Sequence, residues 1–314
     1  MRDILGIHHV TAIAGDPREN LAFYTGLLGM RLVKRSVNQD DPGTYHLFYA
    51  DAAGHPGTDL TFFPWLHLPP GQAGTGMINE VMLAVPRGSL GYWSDRLTGA
   101  GVVPGSSETR FDEAVLPFTD SHGMPVALVE SDGARLFSPW ADSPVPADRQ
   151  VRGIHGVRLW EEALGPTRGL LEGVLGLPSV GTDGDWHRFG AVGASSAGVV
   201  DVREARGARP GRMGRGAVHH VAFRVADDTA QDAVRRRVAA AGRRPTPVID
   251  RFWFKSVYFT EPGGVLFELA TDGPGFAVDE AADHLGERLV LPPWLEPQRD
   301  RIAAALPPLD LRLD

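Results

Sequence analysis

Four stretches of the chain open with the same run of apolar positions. GIHHVTAI begins at Gly6, INEVMLAV at Ile78, GIHGVRLW at Gly153 and AVHHVAFR at Ala217. Each is short, bounded by turn residues and rich in β-branched side chains, the pattern of a strand packed into a sheet. Helical spacing follows. Over residues 17–28 (PRENLAFYTGLL), Leu21, Tyr24, Leu27 and Leu28 fall on one helical face, and Gly29 reads as the stop. Residues 167–177 (TRGLLEGVLGL) echo this segment, and residues 228–241 (DTAQDAVRRRVAAA) predict another helix that Gly242 closes.

Strand signals come next, RLVKRSV then TYHLFYA in the first copy and KSVYFTEPGGVLFELAT in the fourth. The last is a hairpin, two β-branched and aromatic runs about the turn Pro262-Gly263-Gly264. A repeat of about 60–75 residues is too long for a solenoid unit. The pattern predicts an α+β chain of four βαβββ modules forming two eight-stranded half-barrels. Residues 1–137 would hold modules one and two, 138–150 a Pro- and Ser-rich linker, 151–273 modules three and four, and 274–314 a C-terminal tail.

Composition narrows the chemistry. The 314 residues carry 31 Lys and Arg against 39 Asp and Glu, a net charge of −8, which disfavours a basic nucleic-acid-binding surface. There is no cysteine, so thiolate metal sites and cysteine nucleophiles are excluded. No apolar stretch is long enough to span a membrane, and MRDILGIHHV carries no signal-peptide core, so a cytoplasmic location is expected. The chemistry must use His, carboxylate, Tyr or Arg. Whether the chain forms a homo-oligomer stays open.

Four of the eleven histidines form two adjacent pairs, His8-His9 and His219-His220, at the same place in modules one and four. Neighbours on a strand point to opposite faces, so one of each pair should enter a shared cavity while the other lies behind it or bonds a neighbour. The second of each pair leads the apolar run, which makes His9 and His220 the candidate metal ligands. Glu268, inside VLFELA, would complete a facial triad, because a buried carboxylate must be paired or bind a metal. A salt-bridged or solvated Glu is the plainer alternative. Setting module one on module four at Pro56-Gly57 and Pro262-Gly263 puts Phe62 at the Glu268 position, so no fourth ligand is expected. The His220 position holds Glu80 in module two and Gly156 in module three. Two imidazoles and one carboxylate leave open coordination positions, which suits non-haem Fe(II) with O2 as co-substrate, Mn(II) being a working substitute. Tyr258 should stand opposite Glu268 across the hairpin, where a phenol can donate to a substrate oxygen.

At these residues the sequence resembles the vicinal oxygen chelate superfamily, and within it the ring-cleaving dioxygenases of the hydroquinone (2,6-dichlorohydroquinone dioxygenase-like) type. The resemblance runs through GIHHVTAIAGDPRENLAFYTGLLGMRLVKRSVNQDDPGTYHLFYAD, AVHHVAF and DRFWFKSVYFTEPGGVLFELATDGPGF. It implies Fe(II) on His9, His220 and Glu268 and a small aromatic substrate of hydroquinone or catechol type. It also implies roles around the metal for His8, Thr11, His219, Arg251 and Tyr258. Alternation along an uninterrupted strand would turn Arg251 away from Tyr258, so the chain must bend near Arg251. Two other functions are weighed: a metal-dependent isomerase or lyase of glyoxalase type, and a non-catalytic small-molecule-binding or resistance protein of the same fold.

Overall fold

Every module supplies four strands and a helix. The computed structural model describes residues 3–133, 135–191 and 198–311. Module one is β1 (Gly6–Ala14), α1 (Pro17–Leu21), β2 (Arg31–Asn38), β3 (Asp41–Ala50) and β4 (Asp59–Pro64). Module two is β5 (Met77–Val85), α2 (Leu90–Gly99), β6 (Glu108–Arg110), β7 (Glu113–Thr119) and β8 (Pro125–Glu130). Module three is β9 (Ile154–Glu161), α3 (Leu164–Gly173), β10 (Ser179–Asp183), β11 (Trp186–Gly190) and β12 (Val199–Glu204). Module four is β13 (Val218–Val225), α4 (Asp228–Ala240), β14 (Ile249–Asp250), β15 (Lys255–Thr260) and β16 (Leu266–Thr271).

The strands form two eight-stranded sheets, ordered β14-β15-β16-β13-β1-β4-β3-β2 and β10-β11-β12-β9-β5-β8-β7-β6. Modules one and four share the first sheet, modules two and three the second. Each half of the chain therefore lends one module to each sheet. The seams are the antiparallel pairs β1 with β13 and β5 with β9. β1 is buried along its whole length, which is why its sequence reads as a nearly continuous apolar run.

Local signals and tertiary context part at two helices. The helix predicted over residues 17–28 is α-helical only through Leu21 and continues as a π-helical turn over Ala22–Leu27, where the Leu28 amide donates to the Phe23 carbonyl. α3 begins before the predicted Thr167 because Glu204, on β12, accepts from the Leu164 amide at 2.9 Å and caps the helix from outside its own sequence. Residues 138–150 hold no helix or strand but are fastened by side chains: the Gln150 amide donates to the carbonyls of Trp140 and Val145. After β16, short 3-10 turns and α5 (Arg299–Ala305) lie back on module one, burying Ile302 and Leu306, with Tyr45 donating to the Pro307 carbonyl. No helix among the described residues is long and apolar enough to cross a membrane.

Candidate metal centre

The seam between β1 and β13 carries a β-bulge on each strand, and the bulges place the histidines. Ile7 pairs with Phe223 and His9 with Ala222, which leaves His8 unpaired. Thr11 pairs with His220 and Ala12 with Val218, which leaves His219 unpaired. A bulge re-aims side chains. In the first pair the expected division holds, with His9 lining the cavity and His8 buried beside it, whereas in the second pair both His219 and His220 line the cavity.

His9 Nε2 and His220 Nε2 lie 3.3 Å apart. Glu268 Oε2 stands 3.3 Å from the first and 2.9 Å from the second. All three residues are buried, and they are the one group of metal-type donors of this kind among the described residues. Donors bonded at about 2.1 Å and meeting at right angles would lie about 3.0 Å apart, close to the spacing of these three atoms. Neither oxygen of Glu268 has a hydrogen-bond partner among the described residues, although the carboxylate is fully buried. An orphaned buried carboxylate facing two imidazole nitrogens is the arrangement a divalent cation satisfies. Burial would raise the Glu268 pKa, but the imidazoles of His9 and His220 outweigh it and hold the group well below the usual carboxylate range.

The unpaired histidine of each bulge contacts the neighbouring histidine of the triad. His8 Nδ1 is 3.0 Å from His9 Nδ1, and His219 Nδ1 is 2.8 Å from His220 Nδ1. Burial, with the neighbouring imidazole second, pushes both His8 and His219 down to about 3, so each is a neutral imidazole with one donor and one acceptor nitrogen. With His8 and His219 as acceptors, His9 and His220 would carry their protons on Nδ1 and offer both Nε2 lone pairs to a cation at the triad.

Tyr258 pairs directly with Glu268, as the hairpin predicted. Its ring stands edge-on to His220 at 5.7 Å, and burial, then the Glu268 charge, raises its pKa. The bend required near Arg251 is present. β14 ends at Asp250, Phe252 takes φ 76°, and the strand resumes at Lys255, which brings the Arg251 guanidinium to 5.5 Å from the Tyr258 ring. Arg251 also holds Asp40 with both terminal nitrogens, at 2.8 and 3.2 Å. Thr11 is fully buried and does not line the cavity; its hydroxyl lies 2.8 Å from that of Thr61.

The structure corrects one alignment. Ala222 pairs with Glu268 in module four, and Thr11, two residues past the ligand as Ala222 is, pairs with Thr61 in module one. The counterpart of Glu268 is therefore Thr61, one residue before the expected Phe62. Phe62 turns to the other face and packs on Tyr24 with ring centroids 4.5 Å apart. The conclusion survives the shift, since threonine also supplies no carboxylate. In the second sheet the corresponding place is closed: the Arg158 guanidinium covers the Trp186 ring at 3.5 Å and reaches Glu80 and Asp201 at 3.7 and 3.8 Å.

A cavity of about 340 Å³ opens in front of His9 and His220, walled by Phe48, Phe63, Trp65, Trp253 and Phe254, with Tyr258, Arg251, His46 and the 38–41 turn as its polar edge. The sequence reading passed over His46, Trp65 and Trp253. A histidine within the apolar run TYHLFYA was the available signal for His46.

The sequence profile of the Glyoxalase/Bleomycin resistance protein/Dioxygenase superfamily matches residues 6–128 and 126–269. The chain belongs to this superfamily. It is 42% identical to the "Putative ring-cleaving dioxygenase MhqO" of Bacillus subtilis (strain 168), over 98% of this chain and 97% of that one. It is 32% identical to the chlorohydroquinone/hydroquinone 1,2-dioxygenase of Sphingobium indicum, over 95% of this chain and 94% of that one. A crystal structure of a Bacillus subtilis protein superposes with a TM-score of 0.94 at 41% identity, covering 99% of each chain. Superfamily membership agrees with the repeated module and the half-barrel sheets.

Proposed function

We propose that this chain is an Fe(II)-dependent ring-cleaving dioxygenase of extradiol type that inserts O2 into a hydroquinone- or catechol-type aromatic. The observation that carries the reading is the orphaned triad of His9, His220 and Glu268 at an aromatic-walled cavity the size of one substituted ring. Iron bound there supplies O2 activation and a site for a phenolate oxygen. The relatives named as ring-cleaving and hydroquinone dioxygenases support the same reading. His8 and His219 fix the imidazole tautomers of the ligands. Tyr258, beside the triad, holds its phenol proton and donates it to the ring oxygen that gains charge as the aromatic system is broken. Phe48, Phe63 and Trp65 exclude water from that exchange. Thr61 in place of a second carboxylate leaves the centre open, which favours an oxygenase over a glyoxalase-type isomerase.

The test is oxygen uptake by protein loaded anaerobically with Fe(II) and offered a panel of hydroquinones and catechols. Stoichiometric O2 consumption with a ring-opened product is expected. Uptake by none of the panel would overturn the reading, and conversion of a hemithioacetal without O2 would replace it with the isomerase.

A further inference from the structure

On the module-one wall of the cavity, His46 is held by one nitrogen and free at the other. Its ring packs against Phe48 and Phe63, with centroids 3.8 and 4.4 Å away. Nε2 lies 2.9 Å from the Thr61 hydroxyl, which in turn lies 2.8 Å from the Thr11 hydroxyl. Nδ1 has no hydrogen-bond partner among the described residues and is not sealed from the cavity that the ring lines. Burial holds the imidazole well below its ordinary pKa, so it is a neutral group with one donor and one acceptor. Thr61 sits at the counterpart of Glu268 and Phe48 at that of Tyr258, since Phe48 pairs with Thr61 as Tyr258 pairs with Glu268. His46 thus belongs to the half of the cavity that is not occupied by the Tyr258–Glu268 hairpin.

A ring with two hydroxyls that presents one to the triad carries the other into a cavity walled largely by aromatic side chains. A hydroxyl left there without a partner is costly. We infer that Nδ1 of His46 bonds this second hydroxyl of the substrate, and that Thr61, backed by Thr11, sets the ring in position. The inference rests on the dioxygenase reading. Because a hydroxyl both donates and accepts, either tautomer of His46 serves. Thr11 then acts through Thr61 and His46, as a positioning residue that never touches the substrate.

The experiment compares binding of hydroquinone and of phenol, which lacks the second hydroxyl, to the Fe(II)-loaded protein by anaerobic calorimetry. The wild type should favour hydroquinone by about tenfold or more, the effect of one well-placed hydrogen bond in a site otherwise left unpaired. His46→Phe should bring the ratio close to one and raise KM for hydroquinone with iron content unchanged. Thr61→Val, which frees the ring without altering the cavity wall, should lower the ratio part of the way. A ratio kept at the wild-type value in folded His46→Phe would overturn the inference, and if that variant fails to fold, an unchanged ratio in Thr61→Val does the same. Equal binding of both rings by a wild type that consumes O2 would remove the role of His46 and leave the dioxygenase standing. A wild type that binds neither ring and consumes no O2 would end both.

Discussion

His9 and His220 are 211 residues apart in the chain, yet their Nε2 atoms face each other at 3.3 Å across one antiparallel seam. The pair is nearly two-fold symmetric: His9 pairs with Ala222 and His220 with Thr11, each two residues past the opposite ligand. The symmetry breaks at the next strand out, where Glu268 on one side answers Thr61 on the other. The candidate triad therefore holds one carboxylate, not two.

The triad should bind one iron per chain. Replacing His9, His220 or Glu268 by Ala is expected to abolish binding and activity in each case, since two remaining donors hold a divalent metal poorly. Metal analysis after anaerobic reconstitution checks this, and full iron content in all three variants would sink the assignment.

Tyr258→Phe keeps the packing against His220 and removes only the phenol proton. Iron content should stay normal while kcat falls by about a hundredfold, the range seen when one donor to a developing oxyanion is lost. Unchanged kcat with only a raised KM would make Tyr258 a binding group.

Arg251 and Asp40 form a two-pronged pair at the cavity edge, but Asp40 is 74% exposed. Asp40→Ala should therefore change unfolding stability by less than about 1 kcal/mol. Arg251→Ala should raise KM several-fold more than Asp40→Ala does, because the guanidinium also stands against the Tyr258 ring. Steady-state kinetics and urea melts of the two variants separate these effects.

A buried carboxyl outside the triad, that of Glu161, also responds to pH. Glu161 is buried, and burial first, then the charge of Glu261, pushes its carboxyl up to about 8. Thr167 donates to Glu261 at 2.8 Å, and a Cβ at Gly263 would come 1.6 Å from Glu161 Oε2, so a side chain at this turn would force the Glu161 carboxyl to move. The folded protein keeps this proton after the unfolded chain has lost its own. The stabilisation is complete below pH 4.5 and disappears as pH rises to about 8, at a cost of up to about 1.4 kcal/mol per pH unit. Glu161→Gln should flatten that slope and melt above the wild type at pH 8. Thermal melts of both proteins from pH 5 to 9 supply the comparison, and parallel curves would contradict the assignment.

Sequence alone determined the four modules, the triad and the hairpin that sets Tyr258 against Glu268. Each of these depends on short-range periodicity, on a turn a few residues long, or on a repeat that marks equivalent positions. A charged residue within VLFELA and two adjacent His pairs stand out because burial makes such groups expensive. Tertiary structure decided what depends on strand register. Bulges at His8 and His219 carry no local mark, since the unpaired residue exists only relative to a partner strand, and they put both members of the second pair against one cavity. The same register made Thr61, not Phe62, the counterpart of Glu268, because a shift of one residue exchanges the two faces of a strand. The cap that starts α3 comes from Glu204 on another strand. The path from Thr11 through Thr61 to His46 joins three strands whose order in the sheet no window of sequence contains.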